Sequence, residues 1–309
     1  MLRVSVVVCT FSKERETQVL DCLESVKRQT LTPLEIILVL DPDLDFESYS
    51  SRVSSGVSIV KAKASGLSNA RNAGVEVAQG DVIAFIDDDA TADGNWLRNL
   101  AENFHDDIVA GAGGYAKAVW ENGRPAWFPE ELDWVVGSSY RGGPSERCYV
   151  RNPLGCNMAF RKQVFREIGL FRSGIGRIGT TLIGSEEAEF SIRLSKAIPS
   201  ARIVFDPSAV VYHRVAKIRR GFTYLLRRSY YEGVSKALIG RVHPSTGNSF
   251  FVERMYLRYL LQVSVPGRLI EIYDWRKLAE LFTILASMIL VFSGYFAKSL
   301  TAKLVGQRR

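Results

Sequence analysis

Cysteine is scarce in this chain of 309 residues: four thiols, at positions 9, 22, 148 and 156, with no CxxC pair and no metal-ligand spacing. Scattered thiols of this kind are expected to be reduced and cytosolic. No GxGxxG follows the first apolar run and no GxxxxGK[ST] occurs anywhere, so the glycine cradles of dinucleotide-binding and P-loop proteins are missing. The opening "MLRVSVVVCTF" is too short and too strand-like for a secretory h-region. The expectation is therefore that the protein mass stays on the cytoplasmic side. Internal repeats and low-complexity tracts are absent as well. Acid is what the last third lacks: residues 214–309 carry 17 Lys+Arg against 5 Asp+Glu, while residues 1–213 carry 23 against 28. A basic tail on an acidic-to-neutral body calls for an anionic partner, either nucleic acid or a lipid surface.

One stretch lacks charge altogether. "LFTILASMILVFSGYFA" (281–297) runs 17 residues without a charge, at the lower edge of a membrane span. Arg276 and Lys277 precede it and Lys298, Lys303, Arg308 and Arg309 follow, so the flanks give no orientation. The run is read as a transmembrane or embedded helix, with a buried helix in an oligomer interface as the alternative. Upstream, "HRVAKIRRGFTYLLRRSYYEG" (213–233) interleaves basic and aromatic residues. That pattern suits a nucleic-acid surface, a helix lying at an anionic membrane, or a helix packing Leu225, Leu226 and Tyr230 on the body. The apolar run downstream favours the membrane, with no nucleic acid.

What is present reads as alternating strands and helices. "RVSVVVCTF" (3–11), "EIILVLD" (35–41), "VSIVKA" (57–62) and "VIAFID" (82–87) are apolar, largely β-branched runs, the mark of strands buried on both faces. Between them, residues 14–29 place Val19, Leu20, Leu23 and Val26 at helical spacing, and 66–78 reads as a helix with a glycine entry. This order predicts an α/β fold with a mainly parallel, doubly wound sheet, which binds ligands beyond the carboxyl ends of its strands. Residues 111–153, rich in Trp, Gly and Pro, look irregular. Residues 157–171 return to strand then helix, 184–197 to an amphipathic helix, and 201–213 to a bent strand or strand pair.

Two acidic groups carry the chemistry. At the end of the fourth strand stand Asp87, Asp88 and Asp89; alternation along a strand lets Asp87 and Asp89 converge while Asp88 points away. Two convergent carboxylates suit a hard divalent ion, Mg²⁺ or Mn²⁺, that completes its shell with phosphate and water. Crowded acids also cap helices, a role that fits Asp93 and Asn95 better. The second group, Glu186, Glu187 and Glu189 in "GSEEAEFSIRL", either complements a helix dipole or aims a general base at a substrate hydroxyl.

At this point the sequence resembles family 2 glycosyltransferases of the GT-A fold. The pieces that match, in order over residues 3–194, are "SVVVCTFSKER", "ILVLDPD", "GLSNARNAG", "GDVIAFIDDDA", "GCNMAFRKQVFREIGLFR" and "GSEEAEFSIRL". Each piece is weak alone; the ordered series is specific. "WFPEELDWVVGSSYRG", "SGIGRIGT" and "YYEGVSKAL" are similar to archaeal membrane-associated enzymes of the glucosyl-dolichyl-phosphate glucuronosyltransferase type.

The resemblance implies that Thr10 and Phe11 line the base and ribose pocket and that Asp41 bonds the pyrimidine or the ribose. Arg71, with Asn72 beside it, would lie near the nucleotide phosphates. Asp87 and Asp89 would form a DxD-type motif with Asp89 on the metal, Asp88 on the nucleotide-sugar side, and Asn157 with Met158 along the donor sugar. Glu187 matches the second acid of the usual Glu-Asp pair, the general base; many members have Asp there, which leaves Glu186 as the other candidate. His213, in "VVYHR", matches a position that approaches the metal in some members, or else it is structural.

The implied domains are a glycosyltransferase domain over 1–213 and a membrane-associating helical region over 214–309. The first comprises a nucleotide-binding half to about 110 and an acceptor half from about 111. The implied reaction is inverting, Mn²⁺- or Mg²⁺-dependent transfer of a hexose or hexuronic acid. The donor would be a nucleotide sugar, UDP favoured over GDP, and the acceptor a dolichyl- or polyprenyl-phosphate-linked saccharide at the cell membrane. A nucleotidyltransferase, which would release pyrophosphate, and a non-catalytic nucleotide-sugar-binding membrane protein are the alternatives.

Overall fold

The β-branched runs do become strands. A computed structural model describes residues 2–177, 179, 181–243 and 250–306, with side chains to residue 300. In chain order the elements are β1 (Val4–Thr10), α1 (Glu16–Lys27), β2 (Glu35–Leu40), α2 (Phe46–Ser50), β3 (Val57–Lys61), α3 (Leu67–Val77), β4 (Val82–Asp87) and β5 (Ala90–Ala92). They continue with α4 (Trp96–Glu102), β6 (Val109–Trp120), β7 (Cys148–Tyr149), β8 (Asn157–Arg161), α5 (Lys162–Ile168), α6 (Glu186–Ala197) and β9 (Arg202–Val215). Helices α7 (Phe222–Val242), α8 (Phe251–Tyr259), α9 (Val265–Ile270) and α10 (Trp275–Gly306) follow, with a π turn at Leu260–Ser264.

The sheet runs β3-β2-β1-β4-β8-β6-β9-β5, with β7 on β9. Strands β1 to β4 are parallel to one another, while β8 pairs antiparallel with both β4 and β6, and β5 antiparallel with β9. The sheet is therefore mixed, parallel on one side only. Alternation along β1 sends Val6 and Val8 to one face, against Val19, Leu23 and Val26 of α1, and Val7 to the other, with Ala70 and Ala73 of α3 and Phe165, Phe171 and Phe190. Each fully buried aliphatic or aromatic side chain contributes roughly 1.5–3 kcal/mol, so both faces hold the sheet.

By internal contacts the chain divides into two units. One comprises 1–117, 144–181 and 186–214; the other comprises 118–143, 182–185 and 215–309. Within that second unit α7 and α10 pack directly on each other. A Cβ on Gly233 would lie 1.9 Å from the Val291 carbonyl oxygen, and one on Gly294 2.0 Å from that of Tyr230. Ser229 and Ser287 share a buried 2.8 Å hydrogen bond across the same contact. Glu131, Ser264 and Arg268 form a buried network, Glu131 accepting from Arg268 at 2.9 and 2.7 Å. The apolar run 281–297 lies inside α10. Among the described residues, α10 is the one helix long and apolar enough to cross a membrane.

Candidate active site

Four parallel strands ending side by side place their following residues on one rim. After β1 comes Phe11, half-exposed, while Thr10 is 2% exposed. After β2 comes Asp41, whose Oδ1 accepts from Ser65 Oγ at 3.0 Å and from the Asp43 N–H at 3.3 Å. After β4 come the three aspartates. Thr10, Phe11, Asp41 and Asp87–Asp89 are therefore gathered as the strand order predicts, although the Thr10 side chain is turned inward.

The three aspartates differ in their partners. Asp88 is 2% exposed and its Oδ1 accepts from Arg15 Nη1 at 2.6 Å. Burial pushes its pKa up to about 6 against the pull of Arg15, with the Asp89 charge adding to the rise. Asp87, at the end of β4, and Asp89, in the turn that follows, meet His213: one ligand atom from each lies within 4.8 Å of the other two. His213 arrives there because β5 and β9 pair with Ala90 opposite His213, and the Arg214 N–H donates to the Asp89 carbonyl at 2.8 Å. His213 Nε2 stands 3.1 Å from Asp89 Oδ1. Two carboxylates and an imidazole form a donor set that fits Mn²⁺ or Mg²⁺, with room for phosphate oxygens and water.

Arg71, on α3, is the hub behind this cluster. Its guanidinium is 2% exposed and bonds Glu186, the Gly155 carbonyl at 2.9 Å and Asp87 Oδ1 at 3.3 Å. Burial works to discharge it, but the Glu186 and Asp87 carboxylates outweigh that and raise its pKa. Both terminal nitrogens of Arg71 thus bond the protein, one of them to Asp87 of the acidic cluster. The neighbouring Asn72 is likewise structural, holding the Phe171 backbone by both amide groups.

At the start of α6 the glutamates separate by environment. Glu186 is buried on Arg71, and Glu189 is fully buried on Arg193 at 3.1 Å and Arg172 at 3.4 Å. Glu187 is only half-buried. Ser185, just before the helix, holds φ at 76°, a left-handed conformation uncommon for serine.

Asn157 departs from expectation. It is fully buried, accepts from Trp96 Nε1 at 2.8 Å, and donates to the carbonyls of Ala209 at 2.8 Å and Tyr115 at 3.2 Å. Its amide braces α4, β6 and β9 against β8, and Met158 lies in the core. Arg15 was missing from the sequence-based site: at the head of an amphipathic helix it looks like a solvated cation.

Solved structures under 20% identical share this architecture. GalNAc-T7, in complex with UDP, GalNAc and Mn²⁺, matches with a TM-score of 0.56 at 16% identity, over 85% of this chain and 58% of its own. The mannosyltransferase PcManGT of Pyrobaculum calidifontis, in complex with GDP-Man and Mn²⁺, matches with a TM-score of 0.57 at 15% identity, over 98% of this chain and 81% of its own. The fold is GT-A-like. Residues 5–169 match the family described as glycosyl transferase family 2. The glucosyl-dolichyl phosphate glucuronosyltransferase of Haloferax volcanii is 33% identical over 313 residues, covering 98% of both chains. The succinoglycan biosynthesis protein ExoM of Rhizobium meliloti is 25% identical over 245 residues, 75% of this chain and 73% of its own. The chain belongs to glycosyltransferase family 2 and is a glycosyltransferase.

Proposed function

We propose that the chain is an inverting, metal-dependent transferase that moves a hexose or hexuronic acid from a nucleotide sugar, UDP favoured, onto a dolichyl- or polyprenyl-phosphate-linked saccharide. The observation that carries it is the Asp87–Asp89–His213 cluster at the carboxyl-end rim, in a chain matched end to end by the Haloferax enzyme. Asp87, Asp89 and His213 would hold Mn²⁺ or Mg²⁺, which supplies positive charge where the leaving diphosphate becomes more negative. Phe11 offers a half-exposed ring to the base and Asp41 a carboxylate to the base or ribose. Glu187 takes the proton from the attacking acceptor hydroxyl; Glu186, buried on Arg71, is the positioning member of the pair. A single displacement leaves no need for a covalent nucleophile.

The C-terminal unit is proposed to dock on the membrane along α10. Trp275, Leu278, Phe282, Leu285, Ile289, Phe292 and Phe296 are exposed at alternating spacings of three and four, one stripe along the helix. The opposite side packs on α7, which carries the ion pairs Arg228–Glu232 at 2.8 Å and Lys236–Glu232 at 3.0 Å. Threading the pair through hydrocarbon would carry those charges with it, at ~2.5–3.5 kcal/mol each. The favoured disposition is therefore a helix lying in the interface of an anionic membrane. Four cysteines without disulfides suit a cytoplasmic location for the catalytic unit.

The test incubates the membrane-bound protein with a panel of nucleotide sugars and polyprenyl-phosphate-linked acceptors, with Mn²⁺, Mg²⁺ or EDTA. Release of nucleoside diphosphate with sugar transfer, lost in EDTA, is expected. Release of pyrophosphate, or full activity in EDTA, would overturn the reading.

A further inference from the structure

Among the described residues, two guanidinium groups reach the carboxylates of the acidic cluster: Arg71 at Asp87 and Arg15 at Asp88 and Asp89. Arg15 ends the 3₁₀ turn Lys13–Arg15 directly after Phe11, its guanidinium 4.7 Å from that ring's centre. Its Nη1 stands 2.6 Å from Asp88 Oδ1 and 3.2 Å from Asp89 Oδ2. Asp89 is thus divided: Oδ2 faces Arg15, and Oδ1 faces His213 at 3.1 Å. The side chains of Asp88 and Asp89 are only 2% and 9% exposed, so water screens these charges weakly.

Charge balance gives the arrangement a meaning. Asp87, Asp88, Asp89 and Glu186 are four negative charges in one connected cluster, and Arg15 and Arg71 supply two positive ones. The remainder equals one divalent cation. Without Arg15 the deficit would be larger, and Asp89 Oδ2 would lose the positive charge that now stands 3.2 Å from it.

We propose that Arg15 is a positioning residue that presents Asp89 to the metal by one oxygen and lowers the affinity of the site for a free divalent ion. The ion is then held firmly only together with the diphosphate of the donor. This inference rests on the metal-dependent reading above, and its test separates the two.

Mn²⁺ binding to the full-length protein in detergent is followed by electron paramagnetic resonance, with and without UDP. Arg15→Gln is expected to bind Mn²⁺ in the absence of UDP at least about tenfold more tightly than the wild type, so that UDP adds less. Arg15→Lys, which keeps the charge, stays close to the wild type. Asp88→Asn binds more weakly, and the double variant Arg15→Gln with Asp88→Asn returns towards the wild type. The double variant removes both halves of a buried pair, so it gives a comparison with Asp88→Asn even where Arg15→Gln folds poorly. If removing Arg15 tightens Mn²⁺ binding in neither background, Arg15 does not govern the ion and the inference fails alone. If no variant binds Mn²⁺ even with UDP, the metal reading fails and Arg15's role falls with it.

Discussion

Replacing Glu186 and Glu187 by Gln, one at a time, should produce two different kinds of damage. Glu186 neutralises a guanidinium that is 2% exposed. Breaking a buried ion pair from one side costs roughly 3–5 kcal/mol. Arg71 would keep Asp87 at 3.3 Å and the Gly155 carbonyl at 2.9 Å, which points to the lower end, about 3 kcal/mol. In a unit of this size that corresponds to a fall of about 6–12 °C in the melting midpoint. Glu187, half-buried at the head of α6, should melt as the wild type does when changed to Gln. Its transfer rate should instead drop by ~10²–10⁴, or about 3–5.5 kcal/mol of barrier. Glu187→Asp, the residue common in the family, should restore part of the rate. Thermal melts and single-turnover release of nucleoside diphosphate measure both sides. A Glu187→Gln protein with normal turnover, or a Glu186→Gln protein of normal stability that has lost turnover, would refute the assignment.

Other perturbations follow the same physics. Asn157→Ala leaves the Trp96 indole N–H and the Ala209 carbonyl buried and unpaired, at roughly 1–3 kcal/mol for each group; a lower melting midpoint is expected, and unchanged stability with a raised KM for the donor would contradict the brace. Gly294→Leu drives a side chain into the Tyr230 backbone and should separate α7 from α10, read as proteolytic sensitivity in 215–306 while the sheet resists. Glu131 is buried, which raises its pKa, but Arg268 pulls harder and holds it below the usual carboxylate value. Its contribution to stability is then complete above pH ~4.5 and lost as pH falls through the lower folded value; Glu131→Gln should flatten that acid limb of the denaturation curve.

The parallel half of the sheet was legible because each strand is an unbroken β-branched run, and β1 to β4 fall within a residue or so of the expected bounds. Strand β6 was not. Residues from 111 on read as irregular because "GAGG" has the composition of a loop, yet a Cβ on Gly114 would stand 1.8 Å from the Ala209 carbonyl oxygen. Its glycines allow β9 to come close, a reason that exists only in three dimensions. Arg15 and His213 reach the same carboxylate from opposite ends of the sequence, and no spacing rule announces such meetings. Asn157 misled for the opposite reason: a polar residue in a matching motif suggests a ligand contact, whereas burial makes it a joint.

The position of His213 also bears on when the protein becomes active. The family match ends at residue 169, and by then the chain has β1 to β4 and both acids of the cluster. The imidazole comes on β9, which meets Asp89 through β5, and Glu187 comes on α6. A nascent chain therefore carries Asp87 and Asp89 well before it carries the imidazole that meets Asp89 or the helix that bears Glu187. Ribosome-bound chains halted before residue 213 should lack the Asp87–Asp89–His213 cluster, so on the metal-dependent reading proposed above sugar transfer would wait until β9 has been made.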